Sequence, residues 1–160
     1  MIFEKATVHD IESLVRLRTA YLLEDEGEIE DGKLSLIVDQ LPAYFQRHLN
    51  QDLSVFVCRD AGMIAGCCFL SVSEKPANPS FLNGRTGTVL NVYTMPAYRR
   101  KGIARKLMQM LLAESAALKL DYVELKATDA GYPLYRSLGF EDAPSRYHPM
   151  KYVMDERNTI

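Results

Sequence analysis

The sequence predicts an α/β (α+β) fold: a mixed, mostly antiparallel central sheet with helices on both faces. Three observations predict it. A strand–helix–strand succession over 87–128 implies a right-handed parallel crossover. Two apolar runs joined by the turn signal "RDAG" imply an antiparallel hairpin. Ahead of them, apolar residues recur at helical spacing.

The elements follow in order. "IFEKA" alternates as a short first strand. Thr7 offers an N-cap, with Asp10 three residues on, close to a capping box. Ile11, Leu14, Val15, Leu17, Leu22 and Leu23 then predict an amphipathic helix over 8–23. "EDEGEIEDGK" is acidic, holds two glycines and reads as a solvated loop. A second helix is expected over 34–49, with a kink or break at Pro42.

"LSVFVCRD" and "MIAGCCFLSVS" are the hairpin strands. "EKPANPSFLNGRTG" carries the Pro, Asn and Gly of a loop. "TVLNVYTM" is a strand of β-branched and aromatic residues, ended by Pro96. Ile103, Leu107, Met110, Leu111 and Leu118 mark one face of a long helix reaching about Leu120. "DYVELKAT" is the next strand. Pro133 opens a short helix over "PLYRSL", with Gly139 as a left-handed cap. "HPMKYVM" is expected as a last strand.

The 160 residues predict one domain, with a core large enough to be stable unaided. A net charge of -2 offers no global field for nucleic acid, so any anion site must be local. Three cysteines without regular spacing argue against a disulfide framework and suit a reducing compartment. Cys67 and Cys68 are adjacent and should face opposite sides of the sheet. No His or Cys spacing matches a metal motif, so no metal is expected. No stretch approaches the roughly 20 apolar residues of a membrane span, and no signal-peptide pattern opens the chain. A cytoplasmic protein is expected, without nucleic-acid or membrane partners. A homodimer through the apolar last strand is a further expectation.

The segment "YRRKGIAR" carries the chemistry. Cations at the start of a helix oppose its dipole and are mildly destabilising unless an anion offsets them. The first N–H groups of that helix lack intrahelical partners and form an anion site suited to phosphate. Gly102 and Ala104 leave room for close approach, while Arg99, Arg100, Lys101 and Arg105 add charge at the rim. Neither the P-loop nor the dinucleotide-binding glycine pattern is present.

"VYTMPAYRRKGIARKLM" resembles the acyl-CoA motif of the GCN5-related N-acetyltransferases, in which a strand runs into V-x-P and then [QR]-x-x-G-x-[GA]. Arg99 to Ala104 form that core here. "PLYRSLGF" resembles the second hallmark, L-Y-x-x-x-G-F, at Leu134, Tyr135, Gly139 and Phe140. The resemblance covers roughly 52–154; the first 50 residues match only in helical layout, where the family varies with substrate.

The resemblance implies a central β-α-β acyl-CoA-binding unit and acetyl-CoA as co-substrate. The pyrophosphate would rest on the backbone from Arg100 through Gly102, Ile103 and Ala104 to Arg105. The pantetheine arm would lie along Val92, Tyr93 and Thr94, provided the next strand splays away. Tyr135 would hydrogen-bond the departing sulfur and act as general acid, as a phenol with a pKa of about 10 stays protonated at neutral pH. Many members carry an Asn where this chain has Thr128, which makes that pantetheine contact weaker or replaced. The general base is open among Glu24, Asp25, Glu26, Glu28 and Glu124. The acidic segment favours a small cationic amine as acceptor. The alternatives are a protein or peptide N-terminus, a lysine side chain, or a non-catalytic acyl-CoA-binding module.

Overall fold

The structure, a computed structural model, describes residues 1–155. One five-stranded sheet has the order β1-β2-β3-β4-β5. Its strands are β1 (Ile2–Lys5), β2 (Leu53–Asp60), β3 (Met63–Glu74), β4 (Arg85–Thr94) and β5 (Val123–Glu124). The first three pairings are antiparallel and β4 with β5 is parallel, through the α3 crossover (Ile103–Ala117). The mixed, mostly antiparallel sheet predicted from sequence is thus observed.

Helices α1 (Ile11–Glu26) and α2 (Asp31–His48) pack on one face and α3 on the other. Leu14, Phe45, Val55, Val57 and Cys67 belong to the first core; Cys68, Leu70, Leu107, Met108 and Leu111 belong to the second. Adjacent Cys67 and Cys68 therefore face opposite layers, as strand geometry requires. Truncating a side chain as buried as Leu107 to alanine costs about 2–5 kcal/mol.

Thr7 and Asp10 form the expected capping box, and Arg59 on β2 binds both Glu4 and Asp10, at 2.8 and 3.0 Å. A short 3₁₀ turn, Val8–Asp10, leads into α1. The predicted acidic loop is mostly helix. α1 runs on to Glu26, stopped by Gly27 at φ 80°, and α2 already begins at Asp31. Ala, Leu and Glu are strong helix formers and carry α1 past Leu23; only the glycine ends it. Pro42 lies inside an unbroken α2, where it deprives the Val38 carbonyl of its helical partner without ending the helix.

Two predicted strands differ. β5 is reduced to Val123–Glu124, against 121–128 expected. Residues 148–154 form no strand, which removes the expected basis for dimer pairing. Apolar composition permits a strand, but the ladder needs a partner edge, and these residues, among them Met150 at 93% exposure, lie outside the sheet.

Candidate active site

β4 ends before Pro96, a 3₁₀ turn spans Pro96–Tyr98, and α3 starts at Ile103. The connecting turn holds two left-handed residues, Arg100 at φ 63° and Gly102 at φ 77°. Alternating hands around Lys101 turn successive N–H groups to one side, the geometry of an anion-binding nest. Among the described residues, no side chain caps α3, and a Cβ on Gly102 would meet nothing within 4 Å. Open space lies directly before unpaired N–H groups.

The cations divide their roles. Arg99 donates from Nη2 to Glu24 at 2.6 Å and from Nε to the Thr94 carbonyl at 2.9 Å, so it ties β4 to the end of α1. Arg105 donates to Ser137 Oγ at 2.7 Å. Lys101 lies over the Tyr98 ring at 5.0 Å. A cavity of about 920 Å³ opens onto this turn. Val92, Tyr93, Thr94, Arg99, Arg100, Gly102, Ile103, Ala104, Arg105, Thr128 and Tyr135 line it; Lys101, alone of the residues expected to hold the cofactor, does not.

A second cavity, of about 730 Å³, lies where β4 and β5 part. Their pairing is confined to Gly87 with Val123 and Thr88 with Glu124, so β4 from Val89 onward has no strand partner on that side among the described residues. Just beyond, β4 bulges. Leu90 opposes Phe69 and Tyr93 opposes Cys67, and Asn91 takes φ 52°. Thr94 Oγ1 is buried with no hydrogen-bond partner among the described residues, in the wall of the first cavity. Such an orphan calls for a polar guest.

Tyr135 lines both cavities and marks their junction. It sits in α4 (Tyr132–Ser137), which ends in a Schellman motif. The Phe140 N–H donates to the Tyr135 carbonyl at 3.0 Å and the Gly139 N–H to the Arg136 carbonyl at 3.1 Å, with Gly139 at φ 96°. The rings of Tyr135 and Phe140 meet at 5.9 Å, the hydrophobic contact that accompanies this cap. The spacing L-Y-x-x-x-G-F is therefore a helix stop that clamps Tyr135. Burial pushes the Tyr135 phenol up to about 12, with Tyr21 and Cys68 adding to it.

Thr128 lines both cavities, and its hydroxyl accepts from the Gly131 N–H at 3.2 Å, bracing the turn into α4. Of the carboxylates, Glu24 is bound by Arg99. Asp25 lines both cavities, Glu26 and Glu124 line the second, and Glu28 lines neither. Arg18, Tyr21, Asn91 and Gly131 also line the site and went unnoticed in the sequence. Arg18 and Tyr21 stand seven and four residues before Asp25 on one stripe of α1, which was a legible signal for these two. Asn91 depends on the bulge and had none.

Residues 51–142 match the acetyltransferase (GNAT) domain. No curated protein matches the chain. Among solved structures, a predicted acetyltransferase from Clostridium acetobutylicum, crystallised with acetyl-CoA, is similar at 26% identity and a TM-score of 0.81, over 94% of this chain and 95% of that one. A GCN5-related N-acetyltransferase from Ralstonia eutropha JMP134 is similar at 26% identity and a TM-score of 0.78, over 93% and 97%. A ribosomal-protein-alanine N-acetyltransferase from Brucella melitensis biovar Abortus 2308, at 18% identity and a TM-score of 0.68 over 94% and 100%, shares the fold. The domain match takes in more than half the chain, from β2 through α4, and with it both the charged turn and Tyr135: the chain belongs to the GNAT acetyltransferase family.

Proposed function

We propose that this protein transfers the acetyl group of acetyl-CoA to the primary amine of a small cationic molecule, with Tyr135 as general acid. One observation carries the reading: Tyr135 stands where two cavities meet, one opening on an anion cradle and the other lined by carboxylates. Acetyl-CoA supplies an activated thioester. The residues present fit it. The nest at Arg100–Gly102 offers N–H donors for a diphosphate, and the unpaired edge of β4 with the orphaned Thr94 hydroxyl offers partners for the amide-bearing arm.

The acceptor amine is an ammonium at neutral pH and must lose a proton before it attacks. Asp25, Glu26 and Glu124 attract the cation, and Asp25, which reaches both cavities, is best placed to take the proton directly or through water. The N–C bond forms as the C–S bond breaks, and negative charge gathers on sulfur beside the Tyr135 hydroxyl. A phenol at about 12 cannot easily surrender its proton to a thiolate whose thiol has a pKa of about 8.5. Tyr135 therefore acts first as a hydrogen-bond donor whose bond strengthens as charge develops, and its proton passes to sulfur only as the acylated nitrogen sheds its own extra proton, which restores the phenol. The three buried, free cysteines suit a reducing cytoplasm.

α2 lines neither cavity, so the 31–48 segment does not roof the acceptor side. This favours a peptide or protein amine as a second reading. The decisive test combines Tyr135→Phe with a panel of amines and peptides. The expected result is turnover of small cationic amines, reduced roughly 10²-fold in kcat by the substitution, with coenzyme A affinity held. Turnover confined to peptides selects the second reading. Coenzyme A binding without turnover of any amine by either protein makes the chain a non-catalytic binding module.

A further inference from the structure

The second cavity holds an arginine that nothing in the acetyl-transfer reaction requires. Arg18 is half-buried on the face of α1 that lines this cavity, and it does not line the first. One of its donors is used: Nη1 donates to Asn91 Oδ1 at 3.1 Å. Its guanidinium also stands 5.6 Å from the centre of the Tyr21 ring. No carboxylate among the described residues lies within ion-pair distance of it, although Asp25, Glu26 and Glu124 line the same cavity.

Its partner is held with unusual care. Asn91 is buried at 4% exposure, sits at φ 52° on the bulge of β4, and donates from Nδ2 to Cys67 Sγ at 3.5 Å. That bond leaves the amide oxygen turned to Arg18, so the guanidinium is fixed from below, and its remaining donors make no hydrogen bond among the described residues. A guanidinium carries five N–H donors in a rigid fork that matches a carboxylate or phosphate. Asp25 lies seven residues further along α1, roughly 10 Å along the helix axis, and reaches the junction where Tyr135 stands. Asp25 thus stands at the end of the cavity where Tyr135 lies, Arg18 stands about two turns of α1 away from it, and Glu124 and Lys126 line the cavity from the β5 side.

We infer that Arg18 is an anion-recognition residue of the acceptor subsite, and that the acceptor carries a carboxylate or similar anionic group remote from the amine that is acetylated. This rests on the acetyltransferase reading above and narrows its acceptor from a simple cation to a zwitterion. The amine would sit toward Asp25 and Tyr135, and the anion would take the fork of Arg18. Fixing the two ends would orient the nitrogen for attack.

The test compares matched acceptors: β-alanine, γ-aminobutyrate, ε-aminocaproate and lysine, each against the alkylamine that lacks the carboxylate. Wild type, Arg18→Gln and Arg18→Lys are assayed with acetyl-CoA. The expected result is that at least one carboxylated amine exceeds its partner in kcat/KM by roughly tenfold or more, the worth of a charge-assisted pair. Arg18→Gln should bring that ratio near one while leaving the alkylamine rate in place, and Arg18→Lys should keep part of it. Equal use of both members by wild type overturns the inference, as does an equal loss on both members in Arg18→Gln, which would make Arg18 a brace between α1 and β4. If no amine is turned over, the acetyltransferase reading fails separately. Calorimetry with the N-acetyl derivatives of the same acids, at saturating coenzyme A, then decides: binding lost in Arg18→Gln supports the subsite, and binding absent or unchanged overturns it.

Discussion

Gly102 does its work by conformation and by leaving space. At φ 77° any side chain is strained, and a β-branched one most of all. Gly102→Val should therefore weaken coenzyme A by roughly tenfold or more, since it disturbs N–H donors that each act as a charge-assisted bond. Lys101→Ala should do less, because Lys101 lies over Tyr98 and outside the cavity. Titration of both variants with coenzyme A checks the order, and the reverse order would refute the backbone cradle. Gly131 is constrained by sterics alone, as a Cβ there would lie 2.9 Å from the Tyr135 ring. Gly131→Ala should displace that ring and lower kcat while sparing coenzyme A affinity. Tyr135 also links pH to stability. Its phenol titrates at about 12 when folded and near 10 when unfolded. The unfolded chain loses the proton first, so the contribution is whole below pH 10 and is lost between about 10 and 12. Denaturant melts of Tyr135→Phe should fall less steeply across that window than those of wild type.

At the scale of elements, two helix ends are charged against their dipoles. Asp25 and Glu26 crowd the last turn of α1, and Arg100 and Lys101 precede α3. Each placement is mildly unfavourable alone, and the ends are tied by Arg99 and Glu24. On the function proposed above, a diphosphate at one end and an amine at the other would offset that cost. The start of α1 follows ordinary rules instead. Burial opposes ionisation of Asp10, but the Thr7 N–H and Arg59 outweigh it and hold its carboxyl below the usual range. A depressed folded pKa gives stability that is present above the unfolded value near 4 and lost as pH falls through the folded one. Asp10→Ala should cost about 1–3 kcal/mol at pH 7, from the lost capping box and the loss of one of the two carboxylate partners of Arg59, and this difference should shrink on acidification. Urea denaturation at pH 7 and pH 3 measures both. The helix stop at Gly139, the strand end at Pro96 and the capping box were all legible, because caps and breakers act over a few residues. The continuation of α1 through the acidic segment was not, since charge there mimics a solvated loop.

For the whole molecule, coenzyme A should stabilise the fold as any ligand of the native state does, by about 2.7 kcal/mol at a concentration one hundred times its Kd. The protection should concentrate at 100–105, where the N–H groups before and within the first turn of α3 have no helical acceptor among the described residues. Hydrogen exchange with and without coenzyme A tests this; uniform protection without a maximum at that turn would argue against the cradle. The sequence by itself determined the mixed sheet, the family, the charged turn and the helix stop that follows Tyr135, since each is written in periodicity, in caps or in motifs of a few adjacent residues. Tertiary structure alone decided the rest. The parting of β4 from β5 after Thr88, the bulge at Asn91, and the meeting of Arg18, Asp25 and Glu124 around one cavity join segments far apart in the chain. Strand pairing and side-chain facing depend on such non-local partners, and no local propensity encodes which edge is left open or which charge is left unpaired.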